Sequence, residues 1–159
     1  MRWVLDAGVV FDFAAGDLLD ALFRLPFAFC TPDLLTVELK RPPATLLVQL
    51  GLEVETMPGE FLVEIIALRS GYSALSLNDV AAFVLARNLG VGLLTGDRRL
   101  RALAEQSGVE VHGTLWLLER MITHELIAPS QAVAALDAML GAGSRLPAAE
   151  VQKFKRRRQ

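Results

Sequence analysis

The sequence predicts an α/β domain: a central parallel sheet of about five strands, helices on both faces, and a helical extension at the C-terminus. Two observations carry this. Short apolar runs of strand length alternate with segments of helical periodicity along most of the chain, and that alternation builds βαβ units and a doubly wound sheet. Four acids, Asp6, Glu38, Asp79 and Asp97, stand far apart in sequence, each where such a strand ends or a helix begins. In an open α/β sheet those positions converge on one edge, where ligands bind.

Trp3-Val4-Leu5 reads as a short buried strand ending at Asp6. A helical pair follows over Val9–Ala14 and Asp17–Arg24, the second with Leu18, Leu19, Leu22 and Phe23 on one face. Phe27–Cys30 is the second strand. Thr31-Pro32-Asp33 predicts a helix start with Thr31 as N-cap and Pro32 in the first position, placing Glu38 about two turns in, before Pro42-Pro43. Leu52–Thr56 alternates like an edge strand, and Phe61–Arg69 is helical up to the break at Ser70-Gly71. Ser76-Leu77-Asn78-Asp79 opens an apolar helix, Val91–Leu94 is the next strand, and Thr95-Gly96-Asp97 turns into a helix over Arg98–Gln106. Val109–Val111 is the last strand, followed by helices near Thr114–Ile122, Ser130–Leu140 and Pro147–Lys155. Gly141-Ala142-Gly143-Ser144 is the one linker-like stretch. Residues 1–125 form the α/β body and 126–159 the extension.

At 159 residues the chain suits one domain, and its 53% hydrophobic content means that most helices bury a wide face. No apolar run reaches the roughly 18 residues of a membrane span. Arg2–Leu5 meets Asp6 too early for the apolar region of a signal peptide. The expectation is a cytoplasmic protein without a membrane partner. One cysteine, Cys30, excludes an internal disulfide, and with only His112 and His124 beside it a structural zinc site is excluded too. Of the net −2, Lys153, Lys155, Arg156, Arg157 and Arg158 contribute +5, so residues 1–152 hold −7. Such a body does not hold nucleic acid by overall charge; cations in the acidic cleft or the basic tail must help.

Asp6, Asp79 and Asp97 each have an ordinary role as helix caps, since acids near helix N-termini are common. Glu38 does not: two turns into its helix it gains little from the dipole, and Leu34, Leu35 and Val37 suggest a face near the core, where an unpaired carboxylate is costly. Four carboxylates meeting at one edge repel unless a cation lies between them. Mg²⁺ or Mn²⁺, with their preference for hard oxygen ligands, are the simplest choice. Asp12 is a minor candidate, pointing elsewhere from within its helix.

In Val4-Leu5-Asp6, Thr31-Pro32 leading to Glu38, Leu75–Asp79 and Leu93–Leu100, the chain resembles the PIN-domain ribonucleases; Val111–Leu115 is similar to the family's last strand and turn. No single motif is specific, but the ordered set of four spans roughly residues 1–125. The resemblance implies a parallel sheet with helices on both faces and acids that bind one or two divalent cations. Many members are VapC-type toxins of toxin–antitoxin pairs, often dimeric and held inactive by a partner protein. On that basis Asp6, Glu38, Asp79 and Asp97 are the expected metal ligands and catalytic residues. The expected function is divalent-metal-dependent hydrolysis of RNA, with an antitoxin as protein partner.

Cation-bound water serves as nucleophile in such a site, because no histidine is placed to act as base. Thr95 is expected to hydrogen-bond Asp6 or the bound water. Arg98 and Arg101 share a helix face and can touch phosphates or form a solvated face; the tail cations Lys153, Lys155, Arg156, Arg157 and Arg158 fit nucleic-acid contact, partner contact or simple disorder. The apolar content further favours a homodimer. Gly8 stands where a haloacid-dehalogenase-type phosphatase needs its second Asp, and Ala7 departs from the paired acids of a response-regulator receiver. No Walker A or strand-linked GxGxxG sequence is present. The rival from another class is a PIN-like module that binds RNA or protein without cutting.

Overall fold

The computed structural model describes residues 1–158. Five parallel strands form one sheet in the order β3-β2-β1-β4-β5: β1 (Arg2–Leu5), β2 (Ala28–Pro32), β3 (Glu53–Glu55), β4 (Gly92–Leu94) and β5 (Val111–His112). The chain winds outward from β1 through β2 to β3, then returns to place β4 on the other side of β1. The order therefore reverses between β1 and β4, and the crevice above their carboxyl ends is where this topology places ligands. The expected α/β class and five-stranded parallel sheet are both present.

Helices cover the two faces. The helix α5 (Leu77–Leu89) lies against β1, β2 and β4, with seven consecutive buried residues from Val80 to Ala86. That apolarity on every side is what a helix between a sheet and a second helix, α4 (Gly59–Gly71), requires. Against Trp3 of β1, α7 (Thr114–Thr123) brings Trp116, at a ring separation of 5.1 Å. Gly92 in β4 makes room for the Trp3 ring: a Cβ there would lie 2.2 Å from Trp3 Cζ3. α1 (Ala7–Ala15) and α2 (Leu19–Arg24) follow β1, and α6 (Arg98–Gln106) joins β4 to β5. Arg2 of β1 reaches Glu53 and Glu55, so the two edge acids that share a face on β3 also share a cation. Burial raises the Cys30 thiol to about 11, consistent with an inert core residue.

Four local expectations are corrected. Thr31 does not cap a helix; it lies in β2, and its hydroxyl donates to the carbonyl of Leu5 at 3.2 Å. Asp33–Glu38 is a 3-10 helix rather than an α-helix, with Pro32 at its N-cap. A helix not foreseen, α3 (Ala44–Leu50), starts after Pro43 and ends at Gly51, whose φ of +125° suits glycine. The last strand begins at Val111 and includes His112, two residues beyond the expected start.

The C-terminal segment is built into the same core. α8 (Pro129–Gly141) packs on α1, close enough that a Cβ on Gly16 would lie 2.9 Å from Met139 Cε. α9 (Ala148–Arg156) buries Val151 and Phe154. The five tail cations thus lie on or directly after an ordered helix: Lys155 pairs with Asp137 at 2.5 Å, and Arg157 and Arg158 with Glu119 at 3.7 and 3.4 Å. Among the described residues no helix is long and apolar enough to cross a membrane.

Candidate metal centre

Asp6 follows β1 directly and serves as N-cap of α1, its Oδ1 accepting the Ala7 N–H at 2.9 Å. Its own N–H donates to the Leu94 carbonyl at 3.0 Å, which carries the sheet pairing up to the crevice. Across that crevice, the fully buried Thr95 donates its hydroxyl to Asp6 Oδ2 at 2.7 Å and accepts the Asp97 N–H at 3.1 Å. One hydroxyl thus links the carboxylate of Asp6 to the main chain of Asp97. Asp97 is the exposed N-cap of α6, and its Oδ1 accepts the N–H groups of Arg99 and Leu100, both at 2.9 Å. Oδ2 of Asp97 has no protein partner among the described residues.

Asp79 closes a capping box at the start of α5: Oδ2 accepts the Ser76 N–H at 2.9 Å and the Ser76 hydroxyl accepts the Asp79 N–H at 3.1 Å. Glu38 ends the 3-10 helix and is exposed, not core-facing as its apolar neighbours suggested; Val37 beside it is exposed as well. The reason is the tighter 3-10 turn, which changes the face that the α-helical spacing assigned to it. The side chain of Glu38 accepts a hydrogen bond from the Asn78 amide. Asn78, the residue before Asp79, is the site residue that sequence reasoning passed over. The available signal was a second polar residue in the first turn of an otherwise apolar helix.

Asp6 is 8% exposed, and burial pushes its carboxyl up to about 6. The Thr95 hydrogen bond opposes this shift, the charge of Asp79 adds to it, the Ala7 N–H opposes it and the charge of Glu38 adds to it. Asp6 therefore feels Asp79 and Glu38 electrostatically, while Thr95 joins it to the main chain of Asp97. All four offer hard oxygen donors, which suits Mg²⁺ or Mn²⁺ and not a thiolate- or imidazole-seeking metal. Among the described residues, no three Asp, Glu, His or Cys side chains draw together tightly enough to enclose a cation.

The remaining candidates separate. Arg98 is exposed directly after Asp97, while the guanidinium of Arg101 turns toward Gly113, where a Cβ would lie 3.2 Å from Nη2. The ion pairs of the tail cations go to α7 and α8 and not to the four acids. Asp12 accepts the Thr114 hydroxyl at 2.7 Å and so ties α1 to the start of α7; burial raises its carboxyl. His112 stacks on Trp116 at 4.1 Å and bonds Glu110.

The raised Asp6 carboxyl gives a prediction for the metal-free protein in chelator. Between the ordinary carboxylate value near 3.8 and about 6, folded Asp6 keeps a proton that the unfolded chain has lost. Stability from this group is therefore fully present below about pH 4 and falls until about pH 6, by roughly 2–3 kcal/mol. Asp6→Asn removes this slope. The melting-temperature advantage of the variant over wild type should grow from pH 4 to pH 6 and then level off; a constant difference across that range refutes the assignment.

A family model described as DUF3368, a PIN domain, matches residues 2–159. Among solved structures, the chain is similar to a PilT N-terminus domain protein, SSO1118, from the hyperthermophilic archaeon Sulfolobus solfataricus P2. The TM-score is 0.54 at 15% identity, over 77% of this chain and 94% of that one. At that identity the likeness concerns the fold. No curated protein matches the sequence.

Proposed function

Because the chain belongs to the PIN-domain family, we propose that it is a divalent-metal-dependent endoribonuclease and the toxin of a toxin–antitoxin pair. The observation that supports the reading most directly is Asp6, buried at the end of β1 and held by Thr95 from the end of β4, with the charges of Asp79 and Glu38 bearing on it. A carboxylate that served only as a helix cap has no need to be buried and held by a hydroxyl from a second strand. Asp6 and Asp97 would make the most direct contacts to Mg²⁺ or Mn²⁺, with Glu38 and Asp79 completing the donor set. When bound there, the cation supplies acidified water and neutralises charge at the phosphate.

The protein's own contribution is orientation. Thr95 and Ala7 occupy one lone pair on each oxygen of Asp6, which fixes the plane of its carboxylate. At Asp97 and Asp79 the cap bonds anchor one carboxylate oxygen each. Single-stranded RNA incubated with the protein in Mn²⁺ or Mg²⁺ should be cut, and the reaction should stop on chelation. RNA left intact across several metals and mixed sequences, with binding retained, would instead favour a PIN module that binds without cutting.

The basic helix offers a second contact to substrate. Truncation after Gln152 is not a clean test, since it removes the buried Phe154. Lys153 and Arg156 are exposed and outside the ion pairs found among the described residues. Lys153→Gln with Arg156→Gln should flatten the salt dependence of RNA binding by about 0.7 log units per lost contact. An unchanged slope removes α9 from the RNA interface.

Self-association is part of the same proposal. α4 exposes Val63 at 67% and Ile66 at 69%, with Leu62, Tyr72 and Leu77 partly exposed nearby, an apolar surface suited to a second copy. Light scattering should give a homodimer, and a strict monomer at high micromolar concentration would remove this element alone. In the cell, an antitoxin protein would cover the acidic crevice.

A further inference from the structure

We infer that Asn78 is a positioning residue for Glu38, its side-chain amide fixing the one acid of the centre that no backbone group restrains. The inference rests on the metal-dependent reading above and concerns how the fourth carboxylate is held. Asp6, Asp79 and Asp97 are each immobilised by backbone N–H groups at a helix start. Glu38 has no such bond. It is exposed at the end of a short 3-10 helix, on a side chain with three free torsions, and the Asn78 amide is its hydrogen-bond partner among the described residues. Left free, that carboxylate would spend most of its time in solvent.

Asn78 is well placed to hold it. It occupies the first turn of α5 next to Asp79, and α5 packs on the 3-10 helix that carries Glu38. One hydrogen bond therefore ties the side chain of Glu38 to the helix start that carries Asp79. The residue type fits the task. A lysine at this position would bind the carboxylate more strongly but cancel its charge and compete with a cation. An amide donates a hydrogen bond and leaves the charge in place. An exposed bond of this kind adds little to fold stability, so its effect should fall on the site.

The test measures the Mn²⁺ concentration giving half-maximal thermal stabilisation, in a double-mutant cycle of Asn78→Ala and Glu38→Gln on the full chain. Asn78→Ala alone should raise that midpoint about tenfold or more, the usual cost of losing a group that orients a ligand, with the metal-free melting temperature nearly unchanged. In the Glu38→Gln background the same change should shift the midpoint less than about twofold, because the group it acts through is gone. Asn78→Gln, which keeps the amide, should recover part of the loss. An unchanged midpoint in Asn78→Ala, or equal shifts in both backgrounds, overturns the inference while leaving the metal centre standing. A wild-type protein that shows no Mn²⁺ response overturns both.

Discussion

Asp6→Asn is expected to lower the rate of metal-dependent RNA cleavage by at least about a hundredfold while leaving the protein folded. Asparagine keeps the shape of aspartate, can still accept the Ala7 N–H and serves well as an N-cap. What it loses is the charge at the centre of the acid set and one of the oxygens that Thr95 and a cation would share. Glu38→Gln, Asp79→Asn and Asp97→Asn should each cause a substantial loss. Combining two of them should cost far less than the product of the separate losses, because ligands of one centre fail as a unit. The decisive control is the Asp6→Asn, Asp97→Asn double variant in the same preparation. If it cleaves at the wild-type rate, the activity belongs to a contaminant or to another site.

The second large effect concerns the sheet. Gly92→Ala should destabilise the protein by about 1–3 kcal/mol, because the new methyl meets the Trp3 ring at a distance no relaxed core allows. For a chain of this size that corresponds to a fall of roughly 3–10 °C in melting temperature. Trp3→Ala alone should cost about 3–5 kcal/mol through the cavity left among Phe27, His112 and Trp116. In the Trp3→Ala background the penalty of Gly92→Ala should vanish or change sign, since the space is then open and alanine is easier to order than glycine. Equal losses in both backgrounds would mean that Gly92 is needed for some reason other than the ring.

The sheet, most of the helices and the placing of Asp6, Asp79 and Asp97 at helix starts are legible in the sequence because each has a local cause. Val4-Leu5 and Leu93-Leu94 are apolar on both faces, as central parallel strands must be, and α5 is apolar all round. Ser76 with Asp79 is a capping pair visible in four residues. What was not legible depends on tertiary context. Thr31-Pro32 carries strong helix-start chemistry, yet pairing of β2 with β3 extends the strand through Pro32 and defers the turn. α3 hides because seven residues between a proline pair and a glycine offer too little periodicity to read. Glu38 was assigned the wrong exposure because α-helical spacing was applied to a 3-10 turn. The order of the basic tail is not legible because the partners of its cations, Glu119 and Asp137, lie on other helices.

Three of the four acids hold helix starts, and this constrains how such a protein can change over generations. A substitution at Asp6, Asp79 or Asp97 that removes the carboxylate and the capping oxygen together, such as alanine, gives up about 1 kcal/mol of helix-start stability at each position. Asparagine abolishes the charge and keeps the acceptor. A lineage that no longer needed cleavage but still needed the folded domain, as a binding module or a decoy for its inhibitor, would therefore drift first to asparagine at these three positions. Glu38, which caps nothing, has no such restriction, and a wider range of residues should be tolerated there once cleavage is no longer under selection.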